Sequence, residues 1–249
     1  MIVANSLSKS FQDPRKGTIQ AVKGFDFSAR PGEITGLLGV NGAGKTTVLR
    51  ILSTVIRPSG GRAEVLGFDV VRNAEDVRRS IGFLSNTTAL YGRLTPTEIL
   101  HYFGELNGIP KARLKSRVSE VIELLGIGSF ANQLCDKLST GQKQRTSIAR
   151  AILHDPPVLF FDEPTAGLDV VTSQTILEFI ESTRNQGKTV IYSTHIMSEV
   201  ERLCDHITII HSGEMVGDGN LESLLAQTGE TNLERAFLSL VGYRGGQGS

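Results

Sequence analysis

Residues 39–47 read Gly39-Val40-Asn41-Gly42-Ala43-Gly44-Lys45-Thr46-Thr47 and fit the spacing G-x-x-x-x-G-K-[ST]. Their neighbours supply the context that this pattern needs. Upstream, Ile34-Thr35-Gly36-Leu37-Leu38 is an apolar run of strand length. Downstream, Val48, Leu49, Ile51, Leu52, Val55 and Ile56 recur at helical spacing until Arg57-Pro58-Ser59-Gly60-Gly61 stops them. A strand, a glycine loop and a helix in that order let backbone N–H groups turn inward around a phosphate, and the helix N-terminus adds the positive end of its dipole. In such a loop Lys45 reaches the β- and γ-phosphates and Thr46 offers its hydroxyl to Mg²⁺. The pattern implies a bound nucleoside triphosphate held by Gly39, Asn41, Gly42, Ala43, Gly44, Lys45, Thr46 and Thr47.

Working outward, the first sixty or so residues alternate short apolar strands with turns, including Ala21-Val22 and Phe25-Asp26-Phe27, and Ala63-Glu64-Val65-Leu66-Gly67 reads as another strand. A helical block follows. Thr95-Pro96-Thr97-Glu98 places an N-cap threonine, a proline at the first helical position and a glutamate three residues after the cap. Ile99, Tyr102, Phe103 and Leu106 then share one face. Leu114, Val118, Val121, Ile122 and Leu125 repeat the helical period until Gly126 closes it. From Val158 the chain returns to buried strands: Val158-Leu159-Phe160-Phe161, Val190-Ile191-Tyr192 and Ile207-Thr208-Ile209-Ile210, with a helix carrying Ile176, Leu177 and Ile180 between the first two. Strands alternating with helices predict a parallel sheet covered on both faces. The expected organisation is one domain with an α/β core at 1–86 and 152–240, a helical insertion at 87–151 and a frayed tail at 241–249.

The composition narrows the function classes. Lys+Arg and Asp+Glu number 26 each, so no net field draws the 249-residue chain to nucleic acid or to an anionic membrane. No apolar run approaches the ~20 residues of a transmembrane helix, and Met1-Ile2-Val3-Ala4-Asn5 does not resemble a secretory signal. Cys135 and Cys204 match no metal spacing and are expected to be reduced, buried small hydrophobes. The expectation is a cytosolic protein.

Two segments carry further chemistry. Phe160-Phe161-Asp162-Glu163 ends an apolar strand in two carboxylates, at the sheet edge where α/β ligands bind. Such a pair can be a solvated strand end. Beside a phosphate loop in the same chain, Asp162 is instead expected to hold Mg²⁺ with Thr46, and Glu163 to polarise the attacking water as general base. In Leu138-Ser139-Thr140-Gly141-Gln142-Lys143-Gln144-Arg145, Ser139 and Gln142 have capping-box spacing and start a helix whose packing face is Ile148, Ala149, Ala151 and Ile152.

On these motifs, in this order, the chain resembles the ATP-binding cassette family, whose signature is Leu-Ser-Gly-Gly-Gln followed by basic residues. The resemblance covers nearly the whole chain. It implies an α/β P-loop NTPase (RecA-like) core with an N-terminal antiparallel β subdomain and an inserted α-helical subdomain. It also implies that Ser139, Thr140, Gly141 and Gln142 contact the ATP of a second subunit, a homodimer partner or a paired cassette. Phe11 resembles the aromatic that stacks on adenine, though a lone Phe near an N-terminus is otherwise core. Asp169, in Gly167-Leu168-Asp169, resembles the D-loop aspartate, and His195 the switch histidine that senses the γ-phosphate, although a histidine at a strand end is commonly structural. His101, His154, His206 and His211 match no motif.

Two positions depart from the family pattern. Asn86 stands where most relatives carry the Q-loop glutamine, keeping the amide one methylene shorter. Thr140 replaces the first signature glycine. The variant signature, the segment 84–95 and the ending Thr231-Asn232-Leu233-Glu234-Arg235-Ala236-Phe237-Leu238 resemble the ATPase subunits of Nat-type sodium exporters and drug-resistance exporters. That branch implies separate permease subunits and attachment to the cytoplasmic face of the membrane; balanced charge, one cassette and no inserted coiled coil argue against a nucleic-acid partner. Leu90-Tyr91 would either meet the permease or pack under the chain's own helices. The alternatives are a non-transport cassette ATPase acting on soluble partners, and a G protein, for which no Asn-Lys-x-Asp segment is found.

Overall fold

Two long antiparallel strands open the chain: β1 (Ile2–Asp13) and β2 (Gly17–Ala29) pair in register from Ile2 with Ala29 to Asp13 with Gly17. The short strands expected here are therefore two long paired strands, whose register shifts at three places along β1; such irregularities bend and twist a strand. The computed structural model describes residues 1–15, 17–85 and 89–243. After β3 (Ile34–Leu38), buried at every position, comes α1 (Lys45–Leu52). This helix is one turn shorter than its periodicity suggests. Thr54 takes φ +64°, Val55 N and Ile56 N both return to the Arg50 carbonyl, and Val55 is left exposed. Gly60 and Gly61, expected to stop the helix, instead begin β4 (Gly60–Val65), which pairs with β5 (Phe68–Asp69) and completes a four-stranded antiparallel sheet in the order β2-β1-β4-β5.

α2 (Ala74–Ser80) leads into β6 (Ile81–Leu84). The helical block then comprises α3 (Pro96–Leu106), α4 (Lys111–Leu124) and α5 (Thr140–Ile152). Both sequence-predicted capping boxes form. Thr95 Oγ1 accepts from Glu98 N while Thr95 N donates to Glu98 Oε2 at 2.8 Å, and those bonds hold the Glu98 carboxyl below its usual range. The rest of the chain alternates: β7 (Val158–Asp162), α6 (Val170–Asn185), β8 (Thr189–Thr194), α7 (Met197–Leu203), β9 (His206–His211), β10 (Glu214–Gly219), α8 (Leu221–Thr228) and α9 (Leu233–Leu240).

The second sheet has the order β10-β9-β3-β8-β7-β6, parallel except for β10 at one edge. β3, β8 and β7 are adjacent, so the three loops that follow them emerge side by side at the carboxyl edge. This is the edge at which a doubly wound sheet binds ligand. One apolar cluster joins Leu100, Val118 and Ile148 of the helical block to Leu159, Phe161 and Ile180 of the core. A second lies between the two sheets, with Leu7, Phe25 and Val65 against Leu49, Ile51 and Phe160. Cys135 is buried and Cys204 half-buried; both are free thiols, and burial pushes both up. Most of the expected tail, and Asn86, lie outside the described residues.

Candidate functional site

The loop from 39 to 47 turns on its glycines. Gly42 and Gly44 take φ +82° and +116°. A Cβ on Gly44 would lie 2.7 Å from the Ala21 carbonyl oxygen, so both conformation and space require glycine there. Gly44 is also the N-cap of α1 and brings no capping side chain, which leaves the helix N-terminus to whatever sits in the loop. Asn41, Gly42, Gly44, Lys45, Thr46 and Thr47 line an open cleft of about 270 Å³ together with Ala21 and Glu163. A larger cleft of about 430 Å³, among Arg117, Asp155, Phe179 and Lys188, opens where β7 and β8 begin, at the other edge of the sheet.

Lys45 is 4% exposed; its ammonium donates to Gly39 O at 2.7 Å and Val40 O at 3.1 Å and lies 3.1 Å from Glu163 Oε1. The same Glu163 oxygen lies 3.3 Å from His195 Nδ1. Glu163 follows the last residue of β7 at φ +49°, in the left-handed region uncommon for a residue with a side chain, and its N–H donates to Ser193 O. Two residues from distant parts of the sequence, Lys45 and His195, thus converge on one carboxylate oxygen of a third.

Asp162, fully buried, accepts at Oδ1 from Ser193 Oγ (2.7 Å) and Thr46 Oγ1 (3.1 Å). Desolvation pushes its carboxyl above the usual range, while the two hydroxyls pull the other way. Its Oδ2 has no hydrogen-bond partner among the described residues. A buried carboxylate oxygen left over beside a threonine hydroxyl fits a hard divalent cation, for which oxygen donors are preferred.

The remaining expected residues lie elsewhere. Ser139 accepts from Gln142 N (3.3 Å) and its own N–H donates to Gln142 Oε1 (2.9 Å), so these two cap α5. They lie outside the cleft lined by Lys45. Asp169 caps α6 through Thr172 N and Oγ1, bonds that hold its carboxyl below the usual range. Phe11 is exposed on β1 with the Lys9 ammonium 5.1 Å above its ring and does not line the cleft. Leu90 and Tyr91 part company: Leu90 packs on the core, whereas Tyr91 is exposed, stacked with Phe103 and edge-on to Tyr102. Sequence reasoning missed Ser193 as a partner of Asp162, and Gln144, whose Nε2 donates to Pro164 O at 2.6 Å. The signal for Ser193 was a polar residue inside an apolar strand.

Fold and cleft together define a P-loop NTPase. The family described as ABC transporter matches residues 22–166. ABC transporter ATP-binding protein NatA of Bacillus subtilis (strain 168) is 40% identical over 96% of this chain and 97% of its own length. Linearmycin resistance ATP-binding protein LnrL of the same organism is 36% identical over 92% of this chain and 72% of that protein. Among solved structures, the dimeric post-hydrolysis state of the ATP-binding cassette MJ0796 bound to ADP and Pi superposes with a TM-score of 0.81 at 25% identity, over 88% of this chain and 98% of that one. The chain belongs to the ABC transporter family, as an ATP-binding, ATP-hydrolysing subunit of the Nat and drug-resistance type.

Proposed function

We propose that this ATPase works as a head-to-tail dimer that drives separate permease subunits in the export direction from the cytoplasmic face of a membrane. The observation that carries the reading is the convergence of Lys45 and His195 on Glu163, next to the Asp162–Thr46 pair. In the proposed cycle Lys45 exchanges the Gly39 and Val40 carbonyls and Glu163 for phosphate oxygens. Glu163 then takes the proton of the attacking water. His195, partly exposed beside it, holds the Glu163 carboxylate and reaches the γ-phosphate. Thr46 and Asp162 would hold Mg²⁺, which when bound neutralises charge developing on the phosphates.

The other assignments complete the picture. Gly39, Asn41, Gly42, Ala43, Gly44 and Thr47 cradle the phosphates, and Phe11 offers its free face to adenine. Ser139, Thr140, Gly141 and Gln142 stand at the N-terminus of α5, outside their own chain's cleft, where N–H groups and dipole suit the γ-phosphate of a partner's ATP. Asp169 lies at the start of α6 as the link between the two sites. Asn86 is proposed to sense the metal or its water.

No helix among the described residues is long and apolar enough to cross a membrane. LnrL is a resistance protein by name, and that favours export. The test is purification of the tagged chain from detergent-solubilised membranes. A stoichiometric polytopic membrane protein is expected; soluble partners alone would replace transport with the soluble-partner alternative.

A further inference from the structure

α7 places a carboxylate where three hydroxyls meet. Glu199, only 7% exposed, accepts from Tyr192 and Thr194 at Oε2 (2.7 and 2.8 Å) and from Thr165 at Oε1 (2.7 Å). The strand period explains the geometry. Tyr192 and Thr194 leave one face of β8 toward Glu199, whereas Ser193 between them leaves the other toward Asp162. Burial and the neighbouring carboxylate push the Tyr192 hydroxyl up, so it stays a donor. A buried carboxylate accepting from three hydroxyls is a rigid junction, and none of the three donors lines the Lys45 cleft.

The junction joins the two halves of the catalytic pair. On one side, Thr194 is the residue before His195, and its Oγ1 also accepts from Ile196 N at 3.0 Å, so the bonds bracket the histidine. On the other, Thr165 is two residues after Glu163, in the loop that Glu163 enters at positive φ. Both Thr194 and Thr165 are buried.

We propose that Glu199 is a positioning residue that fixes the loop of Glu163 against the strand end of His195, and so sets the contact between those two side chains. The proposal rests on the reading of Glu163 as general base. Reacting groups displaced by an ångström can lose about 10²-fold in rate, so loosening this junction should appear in turnover and not in ATP binding.

The test is steady-state ATPase kinetics on the full chain, with ATP binding measured separately. Glu199→Ala removes the junction and can fail to fold, so the deciding variant is Thr165→Val, which deletes one bond and keeps the shape. The expected result is a kcat roughly 10-fold lower at 25 °C, with KM and Kd for ATP unchanged. Thr165→Ser, which restores the hydroxyl, and Glu199→Gln, which keeps an acceptor toward β8, should both recover most of that loss. A Thr165→Val chain with wild-type kcat overturns the proposal, as does a loss confined to ATP affinity or one that serine does not rescue. Glu163→Gln is assayed alongside: normal turnover there would sink the general-base reading, whereas a dead Glu163→Gln beside a fully active Thr165→Val sinks this inference alone.

Discussion

Lys45 Nζ lies 3.1 Å from Glu163 Oε1, with the lysine 4% and the glutamate 15% exposed. The pair joins the loop at 39–47 to the end of β7. In the proposed cycle phosphate oxygens compete with Glu163 for the ammonium, and the carboxylate repels the phosphate.

Glu163→Gln removes that repulsion and the base together. Turnover should fall by about 10²–10⁴-fold, while ATP affinity measured by calorimetry stays equal or tightens. Wild-type turnover in this variant would remove Glu163 from the chemistry.

Asp162 is held at a cost to the fold. Its carboxyl is pushed up by burial, so the ionised form weakens the folded state above the folded pKa, and the penalty lifts as pH falls through it. Asp162→Asn should therefore raise the melting temperature at pH 7. The gain should shrink on acidification, ATPase activity should be lost, and Mg²⁺ should no longer add to stabilisation by ATP. Thermal melts with and without Mg²⁺-ATP check all of these.

For Asp169 the sign is opposite. Bonds from Thr172 hold its carboxyl below the usual range, so its contribution is present above the unfolded value of about 3.9 and is lost as pH falls through the lowered one. Asp169→Ala should melt earlier than wild type at pH 7. Melts taken across the acid range should show the two curves drawing together below about pH 4.

The signature helix abuts the start of α6. A Cβ on Gly141 would lie 2.8 Å from Thr172 Cγ2, so Gly141→Ala must push the N-termini of α5 and α6 apart. ATPase activity should drop, and Gly141→Ala with Thr172→Ser, which deletes the opposing methyl, should regain it. Thr140→Gly changes an exposed first-turn residue and should alter the rate only modestly.

What could be read from the sequence was local or strictly spaced. The glycine loop, the two acids ending β7 and the capping boxes of Thr95 and Ser139 need only a few consecutive residues to declare themselves, and the structure has each element where it was expected. The end of α1 was misjudged because Val55 and Ile56 keep helical spacing after Thr54 has already left the helix. The Leu90-Tyr91 pair was ambiguous because two adjacent apolar residues do not say which one turns inward. The contacts of Glu163 with His195 and with Lys45 join residues 32 and 118 positions apart, and Glu199 meets Thr165 across 34 positions. No local spacing encodes such meetings; they follow from β3, β8 and β7 lying side by side.

Completion of the ATP site by a second chain is tested most directly by sedimentation of Glu163→Gln with and without Mg²⁺-ATP, alone and combined with Ser139→Phe. A site split between chains gives a monomer without nucleotide and a dimer with it, and the added Ser139→Phe leaves ATP bound but abolishes the dimer. A Glu163→Gln chain that binds ATP yet stays monomeric at saturation, or a dimer indifferent to Ser139→Phe, would contradict it.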